Sequence, residues 1–219
     1  MRKLSMLIML VLLILQGAKA QNKKGDQNLG LSLNFYTGNR TDFYQTANAP
    51  GFQLQHSTST GFTATPNYSY FIGNKLDIGV SLGYGLSTGT YSDRANNTSS
   101  TQQYKNYFSS VYLRKYYLYN NRIGIRTGPF IDYQFSNSSV VNTPDTGNPN
   151  STVKSLQAGI NADFVYYPSA KVGLAVNLGG LYYSNNKFNY SQQSSNSKGV
   201  VLQLLNTNLL FSAFYVFGK

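Results

Sequence analysis

The chain has 219 residues and a formal net charge of +11, with 18 Lys and Arg against seven acidic residues, all of them Asp. It has no Cys, no Trp, no Glu and a single His, which excludes disulfides and thiolate chemistry and leaves few metal ligands. Only 11% of the residues are charged while 15% are aromatic, a composition that suits a water-exposed exterior poorly.

Arg2 and Lys3 precede an apolar run from Leu4 to Leu15 that only Ser5 interrupts. Ala18-Lys19-Ala20 then offers a small-x-small cleavage site. Residues 1–20 are therefore predicted to be a cleaved secretory signal peptide, and residues 21–219 one domain. The apolar run is shorter than the roughly 20 residues a spanning helix needs. The remaining 15 Lys and Arg are scattered, with no run longer than Lys23-Lys24. They read as rim and loop charges, some facing anionic lipid head groups, and not as a nucleic-acid surface.

Beyond the signal the apolar residues recur with period two. Leu29, Leu31, Leu33 and Phe35 alternate with Gly30, Ser32 and Asn34 in a first strand. Phe62, Ala64, Pro66, Tyr68, Tyr70 and Ile72 form one face of a second, in which Pro66 predicts a bulge or local irregularity. The third is the cleanest: Leu76, Ile78, Val80, Leu82, Tyr84 and Leu86 alternate with Asp77, Gly79, Ser81, Gly83, Gly85 and Ser87. A fourth runs from about Tyr104 to Leu118, a fifth from Ile123 to Phe135, a sixth from Leu156 to Tyr166 and a seventh from Val172 to Gly179. The eighth is expected over Leu205–Phe217.

The connections alternate in length. Thr37–Ser57, Thr90–Gln103, Ser136–Thr152 and Ser184–Gly199 are long, whereas Gly73-Asn74, Asn120-Asn121 and Pro168-Ser169 are tight turns. The expected fold is all-β: an eight-stranded antiparallel up-and-down transmembrane β-barrel with four long external loops and three short periplasmic turns. An even strand number puts both ends of the domain on the short-turn side.

Alternation alone does not say which face is outside, and a soluble lipocalin-like barrel would bury the apolar face around a small ligand. Three features favour lipid outside. The polar face is built from Gly, Ser, Asn and Asp, which fits a narrow lumen. Aromatic residues recur near strand ends (Tyr70, Phe71, Tyr117, Tyr119, Tyr166, Tyr167, Tyr182, Tyr215, Phe217), as an interfacial girdle would. The long connections lie on one rim only.

On this pattern the chain resembles the small outer-membrane β-barrel proteins of Gram-negative bacteria, the OmpX- and OmpA-barrel class. Its Tyr- and Asn-rich composition is similar to that of the generic barrel-domain proteins of the Bacteroidetes. The segment Leu209–Phe217 resembles the aromatic-terminated last strand recognised by the barrel-assembly machinery, although Gly218-Lys219 follow it here. The resemblance implies a location in the cell outer membrane, with lipid and the assembly machinery as partners.

With lipid outside, the lumen collects Asp77, Arg114, Arg126, Asp132, Asp163 and Lys171. A hairpin centred near Asn120 would put Arg114 directly across from Arg126, and two cations at low dielectric need counter-charge. Asp163 is the first candidate and Asp132 the second. An eight-stranded barrel is about wide enough for its own side chains, so the expectation is a plugged lumen held by an ionic and tyrosine hydrogen-bond network.

Catalytic and cofactor signals are weak. The one His, His56, falls in or beside the first long connection among Gln55, Ser57, Thr58 and Ser59, where such neighbours arise from composition. The glycines of Gly79–Gly89 have strand spacing without a Gly-Lys-Ser/Thr element, so they form no phosphate loop. No enzymatic activity, cofactor or metal is expected. The polar outer connections suit a structural or surface-interaction role toward host or envelope proteins. The alternatives are a narrow, porin-like barrel passing small or hydrophobic solutes, and an accessory barrel of envelope assembly or secretion.

Overall fold

The computed structural model of the protein describes residues 22–44, 53–93, 98–140, 151–190, 193–204 and 211–218; residues 1–20, where a signal peptide is expected, lie outside them. Nine strand segments follow in chain order: β1 (Gln27–Tyr44), β2 (Gln53–Gly73), β3 (Leu76–Asp93), β4 (Thr98–Tyr119), β5 (Ile123–Val140), β6 (Ser151–Tyr166), β7 (Val172–Tyr190), β8 (Gln193–Leu204) and β9 (Phe211–Phe217). Each pairs antiparallel with its neighbours, from β1–β2 through to β6–β7. The ring closes because β9 pairs with β1 on one side and β7 on the other. β8 continues the same wall position higher up β7, so the barrel has eight strand positions.

The alternation sorts the faces as lipid and lumen require. Phe35 (73% exposed), Leu82 (66%), Ile131 (58%) and Ile160 (55%) point outward, while Asp77, Ser69 and Val216 are fully enclosed. An apolar belt around a closed barrel is the surface of a membrane-spanning protein. Closure also pairs the strand edges, which lets a chain without disulfides hold together in lipid.

The strands are longer than the apolar alternation indicates. β1 continues to Tyr44, β3 to Asp93, β5 to Val140 and β7 to Tyr190, through segments expected to be long connections. An 18-residue strand such as β3 extends about 60 Å at roughly 3.4 Å per residue. Even tilted, it outruns an apolar band of about 25 Å. The polar Ser, Thr and Asn outside lipid stay in the ladder: Thr90 pairs with Thr101 and Gly38 with Ser59. Ser184–Gly199 is likewise drawn mostly into the β7–β8 hairpin. Of the eighth strand expected over Leu205–Phe217, the structure places β9; residues 205–210 lie outside the described residues.

Other departures have local causes. At Pro66, which lacks an N–H, the β2–β3 ladder passes from Ala64↔Tyr84 to Asn67↔Ser81 without changing register, so the expected irregularity is a gap and not a bulge. The register shift in that pair sits between Phe71 and Gly73, and Phe71 turns inward with no exposed surface. In β7, Ala162↔Gly179 is followed by Asp163↔Asn177, which leaves Leu178 over and reverses the parity. Leu174 faces out below this bulge and Leu181 and Tyr183 above it, so Tyr182 faces the lumen, its ring 6.2 Å from that of Phe130. Tyr167 also turns in, beyond the end of β6, and is fully enclosed. Phe71, Tyr167 and Tyr182 therefore leave the girdle; Tyr70, Tyr117, Tyr119, Tyr215 and Phe217 remain exposed on it.

The short-turn end is closed. Phe71, Tyr116, Val165, Tyr167, Ala175, Phe214 and Val216 form one buried cluster inside that rim. Phe71 and Tyr116 rings lie 5.5 Å apart, and Tyr167 meets Phe214 edge-on at 5.6 Å. The segment before β1 is laid over the cluster. Asn22 O accepts from Lys75 N at 2.8 Å, Phe71 O from Gly25 N at 2.9 Å, and Asn22 Oδ1 from the Tyr167 hydroxyl at 3.0 Å.

The β9 ladders to β1 and β7 are what close the ring at this end, with Ala213 paired to both Leu31 and Leu174. Ala213→Pro removes a ladder donor in the middle of this strand. The expected outcome is loss of most of the compact, fast-migrating species in unheated gel electrophoresis after refolding. The conservative Ala213→Val should retain it.

Candidate functional site: a charged lumen above a closed floor

Directly above the floor lies a layer of charge. Asp77 and Arg114 are paired residues of β3 and β4, which brings their side chains together in the lumen. Arg114 donates from Nε to Asp77 Oδ1 at 3.2 Å and from Nη2 to Oδ2 at 2.9 Å. Asp77 Oδ2 also accepts from Ser69 at 2.7 Å, the Tyr116 hydroxyl at 3.0 Å and Asn28 Nδ2 at 3.5 Å. The Arg114 guanidinium stacks over the Tyr112 ring at 3.8 Å. An ion pair taken out of water is tolerated only when its remaining donors and acceptors are met in this way.

A second pair sits beside the first. Arg126 and Asp163 face each other across β5 and β6, with Arg126 Nε donating to Asp163 Oδ2 at 2.7 Å. Asp163 Oδ1 accepts from Asn177 Nδ2 at 2.8 Å. The Arg126 guanidinium lies 5.3 Å from the centre of the Phe214 ring, so this layer rests on the aromatic floor.

The pairing differs in part from the sequence expectation. Asn120 and Asn121 both have positive φ (48° and 55°), and Arg122 N–H donates to Tyr119 O at 3.0 Å. That tight turn aligns Tyr119 with Ile123, so Arg126 faces Tyr116, and not Arg114. Each arginine therefore has its own aspartate, on strands flanking the hairpin. Asp132 forms no ion pair among the described residues: it stands between Ser110 and Gln157 on neighbouring strands, and its Oδ1 has no hydrogen-bond partner among them. Lys171 is exposed at the turn between β6 and β7, outside the lumen. His56 lies on β2, not in a loop, with Nδ1 3.1 Å from Thr41 Oγ1 across β1–β2.

Above the charge layer the lumen is not filled. A cavity of about 470 Å³ is walled by Ser, Thr, Asn and Gln side chains, with Phe108, Tyr112 and Phe130 among them. Arg114, Arg126 and Asp163 line its lower part, and Asp132 and Ser155 its side. The lumen is thus a cup on a sealed base, where the sequence suggested a plug throughout. The space follows from short side chains on the inner face: Ser32, Thr63, Thr65 and Ser81 leave the middle of the barrel open.

No protein-family model matches the chain, and no curated protein sequence does. Among solved structures the chain is similar to a major outer membrane protein from Thermus thermophilus, at 13% identity and a TM-score of 0.43, over 88% of this chain and 99% of that one. It is also similar to the transport unit of the autotransporter AIDA-I from Escherichia coli, at 11% identity and a TM-score of 0.41, over 96% of each chain.

Proposed function

We propose that the protein is a small outer-membrane barrel of the OmpX type that does not conduct, and that acts as a structural or surface-interaction protein through its outer rim. The floor carries this reading. Phe71, Tyr116, Val165, Tyr167 and Val216, each at most 1% exposed, seal the short-turn end beneath two ion pairs. Passage of small or hydrophobic solutes along the axis would require this floor to come apart. The rim of extended, polar strand ends is a rigid platform, the setting in which recognition usually resides. Its partners on this reading are outer-membrane lipid, the assembly machinery that receives the Phe211–Phe217 strand, and a host or envelope protein. Nucleic acid is not among them. The protein is no enzyme on this reading, since Arg114 and Arg126 are committed to Asp77 and Asp163 and His56 hydrogen-bonds Thr41.

Single-channel recording in planar bilayers tests this. The purified protein is expected to insert without stable conductance steps. Reproducible steps would replace this reading with a transport barrel.

A further inference from the structure

The charges of the lumen as a whole do not cancel: Asp77, Asp132 and Asp163 stand against Arg114 and Arg126. Arg114 is matched by Asp77 and Arg126 by Asp163, which leaves Asp132 as a carboxylate outside both pairs. Its Oδ1 is enclosed yet accepts no hydrogen bond among the described residues, and Ser155 Oγ, also on the cavity wall, has no partner among them either. The Asp132 side chain also lines the cavity, and a carboxylate there without a cation of its own is open to one that enters.

The surroundings of Asp132 say what that is. Along β5, Phe130 lies two residues below it on the same face; across the β4–β5 ladder, Ser110 faces Asp132, Tyr112 faces Phe130 and Phe108 faces Gln134. On the other side, Gln157 faces Asp132 and Ser155 faces Gln134. Phe108 and Phe130 thus flank a carboxylate that has no ion pair among the described residues, while the Tyr112 ring is already covered by Arg114. Aromatic faces and a carboxylate together recognise organic ammonium groups, and are worth more where water is excluded. The same wall offers an anion no unmatched cation, because its arginines are already paired.

We infer that the cup is a binding site for a small organic cation, an amine or quaternary ammonium whose charge sits at Asp132 between Phe108 and Phe130. The cavity of about 470 Å³ falls in the usual range for small-molecule sites, about 300–1,000 Å³. The floor closes the site toward the short turns, so the ligand enters from the opposite side. The inference goes beyond the surface-interaction reading and stands or falls separately, because binding in the cup is measured without reference to conductance.

The test is calorimetric titration of the folded protein in a polyoxyethylene detergent, which carries neither amine nor sugar. The probes are choline, its uncharged isostere 3,3-dimethylbutan-1-ol, glucose, acetate and phosphocholine. Choline is expected to bind saturably, the isostere at least tenfold more weakly, and acetate not at all. Phosphocholine binding more tightly than choline would identify a lipid head group as the source of the ammonium; weaker binding would identify a free amine. Asp132→Asn should weaken choline at least tenfold while leaving the heat-modifiable gel shift intact. Equal binding of choline and its isostere would overturn the inference, as would binding of glucose alone or no binding of any probe. The isostere comparison needs no variant, so it decides the matter even if Asp132→Asn does not fold.

Discussion

Asp77→Ala is expected to destabilise the folded barrel by about 3–5 kcal/mol, the usual cost of removing one partner of a buried ion pair. Asp77 has no exposed surface and collects donors from Arg114, Ser69, Tyr116 and Asn28. Removing the carboxylate leaves a largely buried guanidinium at the base of the cup without its counter-charge. Arg114→Leu is the mirror case, leaving Asp77 charged and buried, and should also lower stability. Replacing both, as in Asp77→Leu with Arg114→Leu, leaves no uncompensated charge and should recover much of the loss. Urea unfolding, followed by the disappearance of the fast-migrating gel band, measures all three. Single variants as stable as the parent would mean that the pair is solvated and the lumen wetter than described.

The second large effect is a gain of conductance. Phe71→Ala combined with Tyr167→Ala removes two fully enclosed rings from the floor and the Tyr167 hydrogen bond to Asn22. Each large-to-small change costs about 3–5 kcal/mol in a core that cannot collapse, so folding is checked first by gel shift. In the folded fraction, stable conductance steps are expected where the parent gives none, because the cup would then be open at both ends. A silent double variant would assign the seal to the Asp77–Arg114 and Arg126–Asp163 layer in place of the aromatic floor.

The barrel itself was written in the alternation. Leu76 to Ser87 changes face at every residue because one face meets lipid and the other meets the lumen, so any one-residue slip would put Asp77 into hydrocarbon. The strand extensions were hidden for the same reason. Beyond Leu86 every residue of Ser87–Asp93 except Tyr91 is polar or small, and the period vanishes although the ladder with β4 continues. The parity change in β7 did leave a trace, the Gly179-Gly180 pair within a strand, which marks a bulge. Membership of the lumen was legible for Asp77, Arg114, Arg126, Asp132 and Asp163, since charge on the lumen face of a strand points inward. Who pairs with whom was not. It depends on the register across each hairpin, and a turn that aligns Tyr119 with Ile123 moves Arg126 opposite Tyr116. The cup was invisible as well, because cavity volume depends on how far Ser32, Thr63 and Ser81 fall short of the axis.

The most direct test of the central claim, a closed barrel with lipid on its apolar face, is heat-modifiable mobility of the protein in an isolated outer-membrane fraction. A compact band that runs fast unheated and slows on boiling is the predicted result. A protein recovered in the soluble fraction with no shift would contradict it, and would put the apolar face inside.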